Sequence, residues 1–422
     1  MKVSISPSVI GGTVSAPPSK SYTHRAIVLA GLARGKSTIH NPLLGEDTLA
    51  TLRAMKMLGT MARQEGDELI IRGGRIRPPS GEIDCANSGT TLRLLAGVVS
   101  LLSAKVTLTG DSSLQQRPMR PLLNALTELG VTAKSSRGDG TAPFTIQGPN
   151  QGRWAHIKGD VSSQFISSLL ICSALKELDT DIIITTPLKS RPYVELTRNM
   201  MSRFGGQSWE TKNGYRVPGG QVYRPCNFTI PGDFSSAAFP LVAGALAGKA
   251  TVTGLDPEDP QADRKIVDIL KAFGAAVQWS GDAVTAERGE LVGGDIDMGD
   301  CPDLFPITAV LATQARGTSR LSNAQHLRHK ESDRIRATVN FLRAMGAEIE
   351  EAEDGCIVQG PVQLKGHKVD TMGDHRILMA ATVAGLVAEG NTTLSEGESN
   401  AVSYPAFFAD LRTLGAKIEG VK

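Results

Sequence analysis

A short charged run, HKESDR at residues 329–334, combines residue types and spacing that are suited to acid–base chemistry on anions. Lys330 and Arg334 stand four positions apart, so a helix would place both cations on one face, where like charges oppose helix formation by ~0.2–0.5 kcal/mol. A chain accepts that cost either by solvating both cations or by aiming them at an anion. Glu331 lies between the cations and Asp303 lies upstream. We predict that this segment begins a helix and is catalytic in an enzyme that joins two phosphorylated anions.

Basic residues also fall at predicted helix starts elsewhere. Lys20 and Arg376 lie in the first turns of two different predicted helices, although the positive end of a helix dipole disfavours a cation unless an anion lies in front of it. The alternative, a solvated surface cation, stays open from these residues alone. We predict that the whole set binds small polyanions. Its members are Lys20, Arg25, Arg93, Arg117, Lys330, Arg334 and Arg376.

Two other predicted helix starts are polar. Residues 87–91 read NSGTT, and Gly89 would let a ligand approach the backbone closely. Ser162, Ser163 and Gln164 offer two hydroxyls and an amide, which suit a phosphate and neighbouring hydroxyls. Plain helix capping is the alternative for the two serines.

These candidates fall within a repeat of about 70 residues, and internal repeats decide the fold class. A large apolar residue followed by Gly ends an amphipathic stretch six times, at intervals of 69 to 75 residues. A Gly just past a helix predicts a left-handed C-terminal cap. The pairs are Leu58-Gly59, Leu129-Gly130, Phe204-Gly205, Phe273-Gly274, Met345-Gly346 and Leu414-Gly415.

A second marker recurs in step with the first. A Ser, Asn or Asp precedes a run of small and apolar residues in each repeat, which predicts the N-cap of a buried helix. We expect an α/β (α+β) protein of two domains with three units each, formed by residues 15–232 and by residues 1–14 with 233–422. The helix N-termini would face a cleft between the domains, and the weakly charged fourth unit would be mainly scaffold. The predicted caps are Ser19, Asn87, Asp160, Asp233, Asp300 and Asp374.

Composition excludes several classes of protein. The 422 residues carry a net charge of +2 and only 5% aromatics, which argues against a nucleic-acid or anionic-membrane partner. No apolar run approaches the ~20 residues of a membrane span, and the N-terminal stretch lacks a signal-peptide core, so we expect a cytoplasmic protein. The five cysteines are dispersed without a CxxC pair, so neither disulfides nor a zinc site is indicated.

Six short segments follow one another along the chain in the order SKSYTHR, NSGTTLR, QQRP, SSQF, HKESDR and GDHR. With these segments the chain resembles the enolpyruvyl transferases from Ser19 to about Leu414. The resemblance implies two domains, each of three βαβαββ units, in an inside-out α/β barrel with helices inside and sheets outside. It implies transfer of the carboxyvinyl group of phosphoenolpyruvate to the 5-hydroxyl of shikimate 3-phosphate, with release of phosphate through a tetrahedral intermediate. That reaction belongs to the shikimate pathway of aromatic amino-acid biosynthesis. We expect these two small-molecule substrates, no cofactor, no metal and a monomer.

The resemblance also implies roles for single residues. Asp303 would take the proton from the hydroxyl, Glu331 would protonate and later deprotonate the methylene carbon, and Lys20 would be a third catalytic group. Shikimate 3-phosphate would contact Lys20, Ser21, Arg25, Ser162, Ser163, Gln164, Ser190, Tyr193, Asp303, His326 and Lys330. Phosphoenolpyruvate would contact Lys20, Asn87, Gly89, Arg117, Gln164, Arg334 and Arg376.

The chain departs from the family pattern at three positions. Leu94 stands where many members have Pro, and His326 where many bacterial members have Asn near the shikimate ring. Val402 stands where many carry Lys, so we expect the phosphoenolpyruvate pocket to be one positive charge short.

Three rival functions remain to be distinguished. A UDP-N-acetylglucosamine enolpyruvyl transferase would carry a Cys on the loop before Arg117-Pro118, and none is near. An RNA 3′-phosphate cyclase shares the repeated unit but lacks the KES-DR run. A non-catalytic binding module of the same fold predicts ligand binding without turnover, although both acid–base candidates are present here.

Overall fold

The structure, a computed structural model, describes residues 1–421. The chain forms two compact units. We call Pro18–Ile230 the continuous unit, and Met1–Pro17 together with Pro231–Lys422 the discontinuous unit. Among the described residues, no helix has the length and apolar character needed to cross a bilayer.

Residues 1–421 contain twelve α-helices, and the continuous unit holds the first six. They are α1 Lys20–Leu32, α2 Glu46–Met57, α3 Gly89–Val99, α4 Arg120–Glu128, α5 Ser163–Ser173 and α6 Arg191–Arg203. The helices of the discontinuous unit are α7 Phe234–Ala247, α8 Lys265–Ala272, α9 Phe305–Thr313, α10 Arg334–Ala344, α11 His375–Leu386 and α12 Phe407–Thr413.

The same residues contain six four-stranded sheets, three in each unit. The first half of the strands are β1 Lys2–Ser6, β2 Ile10–Ser15, β3 Gly35–His40, β4 Met61–Glu65, β5 Glu68–Gly73, β6 Ile83–Asp84, β7 Val106–Thr109, β8 Thr132–Ser135, β9 Phe144–Gln147, β10 Trp154–Ile157, β11 Thr180–Ile184 and β12 Trp209–Thr211. The others are β13 Gly214–Val217, β14 Asn227–Thr229, β15 Gly248–Thr253, β16 Ala276–Ser280, β17 Ala283–Glu287, β18 Asp295–Asp297, β19 Gly317–Ser322, β20 Glu348–Ala352, β21 Gly355–Gly360, β22 Lys368–Val369, β23 Thr392–Leu394 and β24 Lys417–Val421.

All six sheets share one pairing pattern. An edge strand runs parallel to the second strand, and the remaining strands pair antiparallel, as in the order β6-β7-β9-β8. In four sheets the parallel pair is linked across a buried helix, for example α3 between β6 and β7. Three sheets are completed by strands distant in the chain, since β14 joins β3, β2 joins β15 and β1 joins β23. The predicted βαβαββ unit is confirmed.

The first helix of each unit forms the core. In the continuous unit α3 packs against both α1 and α5, and in the discontinuous unit α7, α9 and α11 pack on one another. Every residue of α9 is buried, as expected for a helix that is apolar all round. The sheets cover these helices and expose alternate residues, as in the pattern of β10. The predicted arrangement of helices inside and sheets outside is therefore confirmed.

The predicted glycine caps are confirmed in all six repeats. The six glycines have φ between 80° and 99°, a region that residues with a Cβ rarely adopt. Each follows a buried apolar residue at the C-cap of the second helix of its unit, such as Met345 after α10.

The N-cap predictions are partly wrong. Ser19, Asp233 and Asp374 occupy the cap positions of α1, α7 and α11. In the other three repeats the helix begins later than predicted. Ser88 rather than Asn87 caps α3, Ser162 rather than Asp160 caps α5, and the 3-10 helix Pro302–Leu304 separates Asp300 from α9.

Only the last residue of the charged run at 329–334 lies in an α-helix. Helix α10 begins at Arg334, the last residue of the run, because Asp333 is its N-cap and accepts a hydrogen bond from the Arg336 amide at 3.1 Å. Lys330 precedes the cap in extended backbone. Lys330 and Arg334 therefore do not share a helix face, and the expectation of a helical charge pair was wrong.

Candidate active site

Arg334 is the centre of an ion-pair cluster in the discontinuous unit. The side chain is 2% exposed, and each of its three guanidinium nitrogens contacts a different carboxylate. Nε lies 2.8 Å from Asp374, Nη1 lies 2.7 Å from Asp303 and Nη2 lies 2.7 Å from Glu331. The rigid planar fork of arginine makes three such contacts possible at once. The structure thus brings both predicted acid–base residues to one cation.

Arg376, near the start of α11, holds the other oxygen of Asp303. Its Nη2 lies 3.1 Å from Asp303 Oδ2, and its Nη1 donates to the Ser235 carbonyl at 3.0 Å. The guanidinium carbon lies 5.8 Å from the centre of the Phe239 ring. Each oxygen of Asp303 therefore faces a different arginine, which fixes the orientation of the carboxylate.

Both arginines keep their charge inside the protein. Burial disfavours the charged form of each, but neighbouring carboxylates outweigh burial and raise the pKa of both groups. Among these carboxylates, Asp374 raises the pKa of Arg334 the most, and Asp303 raises the pKa of Arg376 the most. The cluster consequently offers two permanent cations beside two candidate acid–base groups.

The fourth repeat, interpreted as scaffold from the sequence, also contributes to this cluster. The Ser235 hydroxyl donates a hydrogen bond to the buried carboxylate of Asp263, next to the carbonyl that binds Arg376. Burial raises the pKa of Asp263, and the charge of Asp303 raises it further. The interpretation of the fourth repeat as mainly scaffold stays a prediction, and its low count of charges did not reveal the acid that is buried there.

We expect Asp263→Asn to stabilise the protein more at pH 8 than at pH 5. The unfolded pKa is ~3.9 and the folded value is raised, so ionising Asp263 destabilises the folded protein increasingly as pH rises above ~4 toward the folded pKa. Asp303 and Asp233 add to this effect, and Arg376 opposes it. Urea unfolding of both proteins at the two pH values measures the difference. An equal difference at both pH values would contradict the prediction.

In the continuous unit, two arginines converge on the start of α3. A Cβ placed on Gly89 would lie 3.0 Å from Arg117 Nη1 and 3.2 Å from Arg93 Nη1. The first turn of a helix also directs amide N–H groups outward, with a partial positive charge. Two guanidinium groups and a helix N-terminus at one glycine form a site suited to a phosphate or carboxylate.

Amide side chains hold these two arginines in place. Asn87 Oδ1 accepts from Arg117 Nη2 at 2.5 Å, and Asn87 Nδ2 donates to Asp111 at 2.7 Å. Gln164, on α5, accepts from Arg93 Nη1 at 2.7 Å. The predicted phosphoenolpyruvate residues Asn87, Gly89, Arg117 and Gln164 are thus gathered around one helix start.

Lys20 has an anionic partner that the sequence did not predict. Lys20 opens α1, and its Nζ lies 3.2 Å from Asp47 near the start of α2. This ion pair explains how a cation is tolerated at a helix N-terminus. No sequence signal indicated Asp47, because it lies 27 residues away on another helix.

Arg25 lies inside the continuous unit rather than at its surface. The side chain is fully buried and donates to the Ser21 carbonyl at 2.9 Å, the Tyr193 carbonyl at 3.2 Å and the Thr197 hydroxyl at 2.7 Å. Arg25 therefore connects α1 to α6 and fixes the backbone beside Ser21 and Tyr193.

The remaining predicted residues lie at element ends. Ser162 and Ser163 begin α5, and Ser190 caps α6 with a left-handed φ of 54°. His326 is buried in a 3-10 helix, and Lys330 follows the end of that helix.

Sequence reasoning missed or undervalued three acids of the clusters described above. Asp374 was predicted only as a cap, yet it both caps α11 and binds Arg334. Asp47 and Asp263 were not singled out. A cation at a predicted helix start needs an acid nearby. This rule predicts that such acids exist, but it does not predict where they lie in the chain.

Comparisons with known proteins agree on one family. The family described as EPSP synthase (3-phosphoshikimate 1-carboxyvinyltransferase) matches residues 6–411. The 3-phosphoshikimate 1-carboxyvinyltransferase of Methanocorpusculum labreanum is 54% identical over 419 residues, with 99% of each chain covered. The enzyme of the same name from Halobacterium salinarum is 46% identical, with both chains covered completely. The solved structure of EPSP synthase from Acinetobacter baumannii is similar with a TM-score of 0.81 at 29% identity, covering 99% of this chain and 100% of that one.

Proposed function

This chain belongs to the EPSP synthase (3-phosphoshikimate 1-carboxyvinyltransferase) family, and we propose that it transfers the carboxyvinyl group of phosphoenolpyruvate to the 5-hydroxyl of shikimate 3-phosphate. Phosphate is released, and the product continues toward the aromatic amino acids. The cluster in which Arg334 contacts both Asp303 and Glu331 is the single observation that best supports this chemistry.

The reaction needs one base for the acceptor and one acid for the donor. Asp303 accepts the proton of the 5-hydroxyl as its oxygen attacks the central carbon of phosphoenolpyruvate, and Glu331 delivers a proton to the methylene carbon. The tetrahedral intermediate then loses phosphate, and Glu331 takes a proton back from the new methyl group to leave the vinyl ether. Lys20 is assigned to stabilise charge on the transferring groups.

Charge complementarity supports the assignment of the two anionic substrates. Each phosphate carries a charge of about −1.5 to −2, and both substrates also carry a carboxylate. Arg117, Arg334, Arg376 and Gly89 are assigned to phosphoenolpyruvate, together with Asn87. The hydroxyl-rich helix starts are assigned to shikimate 3-phosphate. The full set assigned to this substrate is Lys20, Ser21, Arg25, Ser162, Ser163, Ser190, Tyr193, Asp303, His326 and Lys330, together with Gln164, which is assigned to both substrates.

The buried Arg25 also positions the backbone of Ser21 and Tyr193, since each of its three guanidinium nitrogens already donates to a partner in the chain. Val402 is buried and contributes no charge. The predicted shortage of one positive charge in the phosphoenolpyruvate pocket stays a prediction. Three other expectations also stay predictions: an active site between the two domains, a monomeric state and a cytoplasmic location.

The decisive experiment measures phosphate release from phosphoenolpyruvate with either shikimate 3-phosphate or UDP-N-acetylglucosamine as acceptor. We expect release only with shikimate 3-phosphate. Release only with the sugar nucleotide would refute the proposal, and binding of both substrates without release would favour a binding module.

A matched pair of variants ties the activity to the site. Arg117→Ala removes one of the two guanidinium groups at Gly89 and should raise the KM for phosphoenolpyruvate. Arg120→Ala removes an exposed arginine three residues further on, whose side chain donates a hydrogen bond to the Gly138 carbonyl at 3.2 Å. We expect Arg120→Ala to leave the kinetics unchanged.

A further inference from the structure

A buried set of polar side chains joins the first three helices of the continuous unit. The Thr51 hydroxyl on α2 lies 2.7 Å from His24 Nδ1 on α1 and 2.6 Å from the Thr91 hydroxyl on α3. Thr91 in turn donates to the Ser88 hydroxyl at 2.7 Å. All four side chains are fully buried, and hydrogen-bonded polar groups in such surroundings specify one packing arrangement. We call these four residues the polar network.

The polar network ends at the candidate anion site of the continuous unit. Ser88 is the N-cap of α3, and its hydroxyl accepts a hydrogen bond from the Thr91 amide at 3.2 Å. The next residue is Gly89, where the guanidinium groups of Arg93 and Arg117 converge. A shift of the Ser88 cap would therefore move the helix start that faces these two cations.

The network also connects this helix start to the position of Lys20. Two contacts join α1 to α2, the Lys20–Asp47 ion pair at 3.2 Å and the His24–Thr51 hydrogen bond. Their members are four residues apart on both helices, so the contacts lie one turn apart. The Thr91 hydroxyl lies 3.3 Å from the Asp47 carbonyl as well. Helix α3 is thus held against both contacts.

We infer that His24 is a positioning residue, which fixes the start of α3 through Thr51 and Thr91. The inference rests on the proposed function, because that function assigns the start of α3 to phosphoenolpyruvate. His24 was not among the residues predicted for the site, since a single histidine inside an apolar helix carries no sequence signal of such a role.

The direction of the hydrogen bonds follows from the number of protons. A hydroxyl carries one proton and can accept through two lone pairs. Thr91 donates to Ser88, and its other neighbour, the Asp47 carbonyl, can only accept. The short contact between Thr51 and Thr91 therefore needs the proton of Thr51. Thr51 then has no proton for His24, so the imidazole must donate to Thr51 through Nδ1–H.

The surroundings of His24 keep the imidazole neutral. Burial lowers the pKa of His24 well below its usual value, and the cations Lys20 and Arg25 on the same helix lower it further. A neutral imidazole carries one proton, which the network places on Nδ1. The other nitrogen, Nε2, has no hydrogen-bond partner within residues 1–421 and is then the unprotonated one.

Nitrogen NMR tests the network without any substrate. In protein labelled with ¹⁵N at the imidazole nitrogens, the signals of His24 are those missing from His24→Asn. At pH 7 we expect a protonated Nδ1 and an unprotonated Nε2. A proton on Nε2 instead, or on both nitrogens, would overturn the inference, because His24 would then not be the neutral Nδ1–H donor at the end of the network.

Kinetics test the positioning role. Thr51→Val replaces the central hydroxyl with a methyl group of similar size. We expect the KM for phosphoenolpyruvate to rise about fivefold, the equivalent of one net hydrogen bond. The turnover number and the KM for shikimate 3-phosphate should change by less than about twofold, which is the pattern of lost binding rather than lost catalysis. His24→Leu should raise the same KM, and His24→Asn should restore it, because its amide can donate to Thr51.

Thr180→Val is the matched control in the same unit. Thr180 begins β11 and is fully buried, and its hydroxyl has no hydrogen-bond partner in the part of the chain that the structure describes. We expect this variant to keep both KM values. Equal kinetics of Thr51→Val and Thr180→Val, or a loss of turnover and of affinity for both substrates together in Thr51→Val, would overturn the positioning role. A wild type that releases no phosphate would refute the proposed function, whereas the protonated nitrogen of His24 would still support or overturn the network.

Discussion

Replacing Glu331 with glutamine is expected to reduce turnover by ~10²–10⁴-fold, the usual contribution of a positioned general acid–base group. Glutamine has nearly the size of glutamate, and its amide oxygen can still accept from Arg334 Nη2, which lies 2.7 Å from the Glu331 carboxylate. It cannot deliver or take a proton at the methylene carbon. The KM values for both substrates should therefore change by much less than the turnover number, as measured by steady-state phosphate release.

Isotope incorporation gives a second readout of the same role. In heavy water, protonation of the methylene carbon followed by loss of a proton from the freely rotating methyl group places deuterium in the vinyl group of the product. Each turnover needs one such protonation and one proton loss, so we expect the rate of deuterium incorporation in Glu331→Gln to fall in the same proportion as its turnover number. Incorporation by Glu331→Gln at the wild-type rate would show that another group protonates the methylene carbon.

Glu351 provides the matched control. Its carboxylate lies 2.8 Å from Arg328, so it is also a partly buried acid paired with arginine in the same repeat. Glu351→Gln should keep turnover within about twofold, since surface-type ion pairs contribute only ~0–1 kcal/mol. Near-normal turnover in Glu331→Gln, or equal losses in the two variants, would remove Glu331 from the acid–base role.

The repeated architecture could be predicted from the sequence because its markers are local. Gly346 and its five counterparts need only a backbone φ that other residues rarely adopt, and that requirement is visible wherever a Gly follows an amphipathic stretch. Buried helices such as α9 are visible as continuous small and apolar runs. These signals depend on neighbours within one turn of helix, so no knowledge of distant contacts was necessary.

The contacts of the candidate residues could not be predicted, since they join elements that are distant in the chain. Lys20 pairs with Asp47, and Arg334 pairs with Asp374 from the next repeat, 40 residues away. The charged run was interpreted as helical because its spacing fits a helix. In the structure Asp333 is the N-cap of α10, so only Arg334, the last residue of the run, lies in the helix. Local spacing identified candidate residues, and the fold determined which of them meet.

Removing the charge of Arg334 is expected to destabilise the discontinuous unit by ~3–5 kcal/mol, the range for breaking a buried ion pair from one side. Arg334→Leu would leave Asp374, which is fully buried, without its arginine partner, and would remove a cation from Asp303 and Glu331. Urea unfolding can be monitored through Trp279, the only tryptophan of that unit, in a background with phenylalanine at positions 154 and 209.

Lys249→Leu is the matched control for this stability change, because Lys249 lies in the same unit as Arg334 and Trp279. Lys249 lies 3.1 Å from Glu287, a distance similar to those in the Arg334 cluster, but both side chains are largely exposed. We expect Lys249→Leu to change the free energy of unfolding by less than ~1 kcal/mol. If Arg334→Leu also lowered the free energy of unfolding by less than ~1 kcal/mol, the three carboxylates would not depend on the buried guanidinium.

The destabilisation by Arg334→Leu should also depend on pH in a known direction. The neighbouring carboxylates raise the pKa of Arg334, so this guanidinium stays charged across the range and its stabilising effect is present wherever those carboxylates are ionised. The difference in the free energy of unfolding between wild type and Arg334→Leu should then be larger at pH 8 than at pH 5.

Arg334→Lys keeps one charge but cannot contact three carboxylates through three separate nitrogens, so it should recover part of the stability and little of the turnover. Full recovery of turnover by lysine would show that charge alone, rather than the orientation of Asp303 and Glu331, is what the reaction requires.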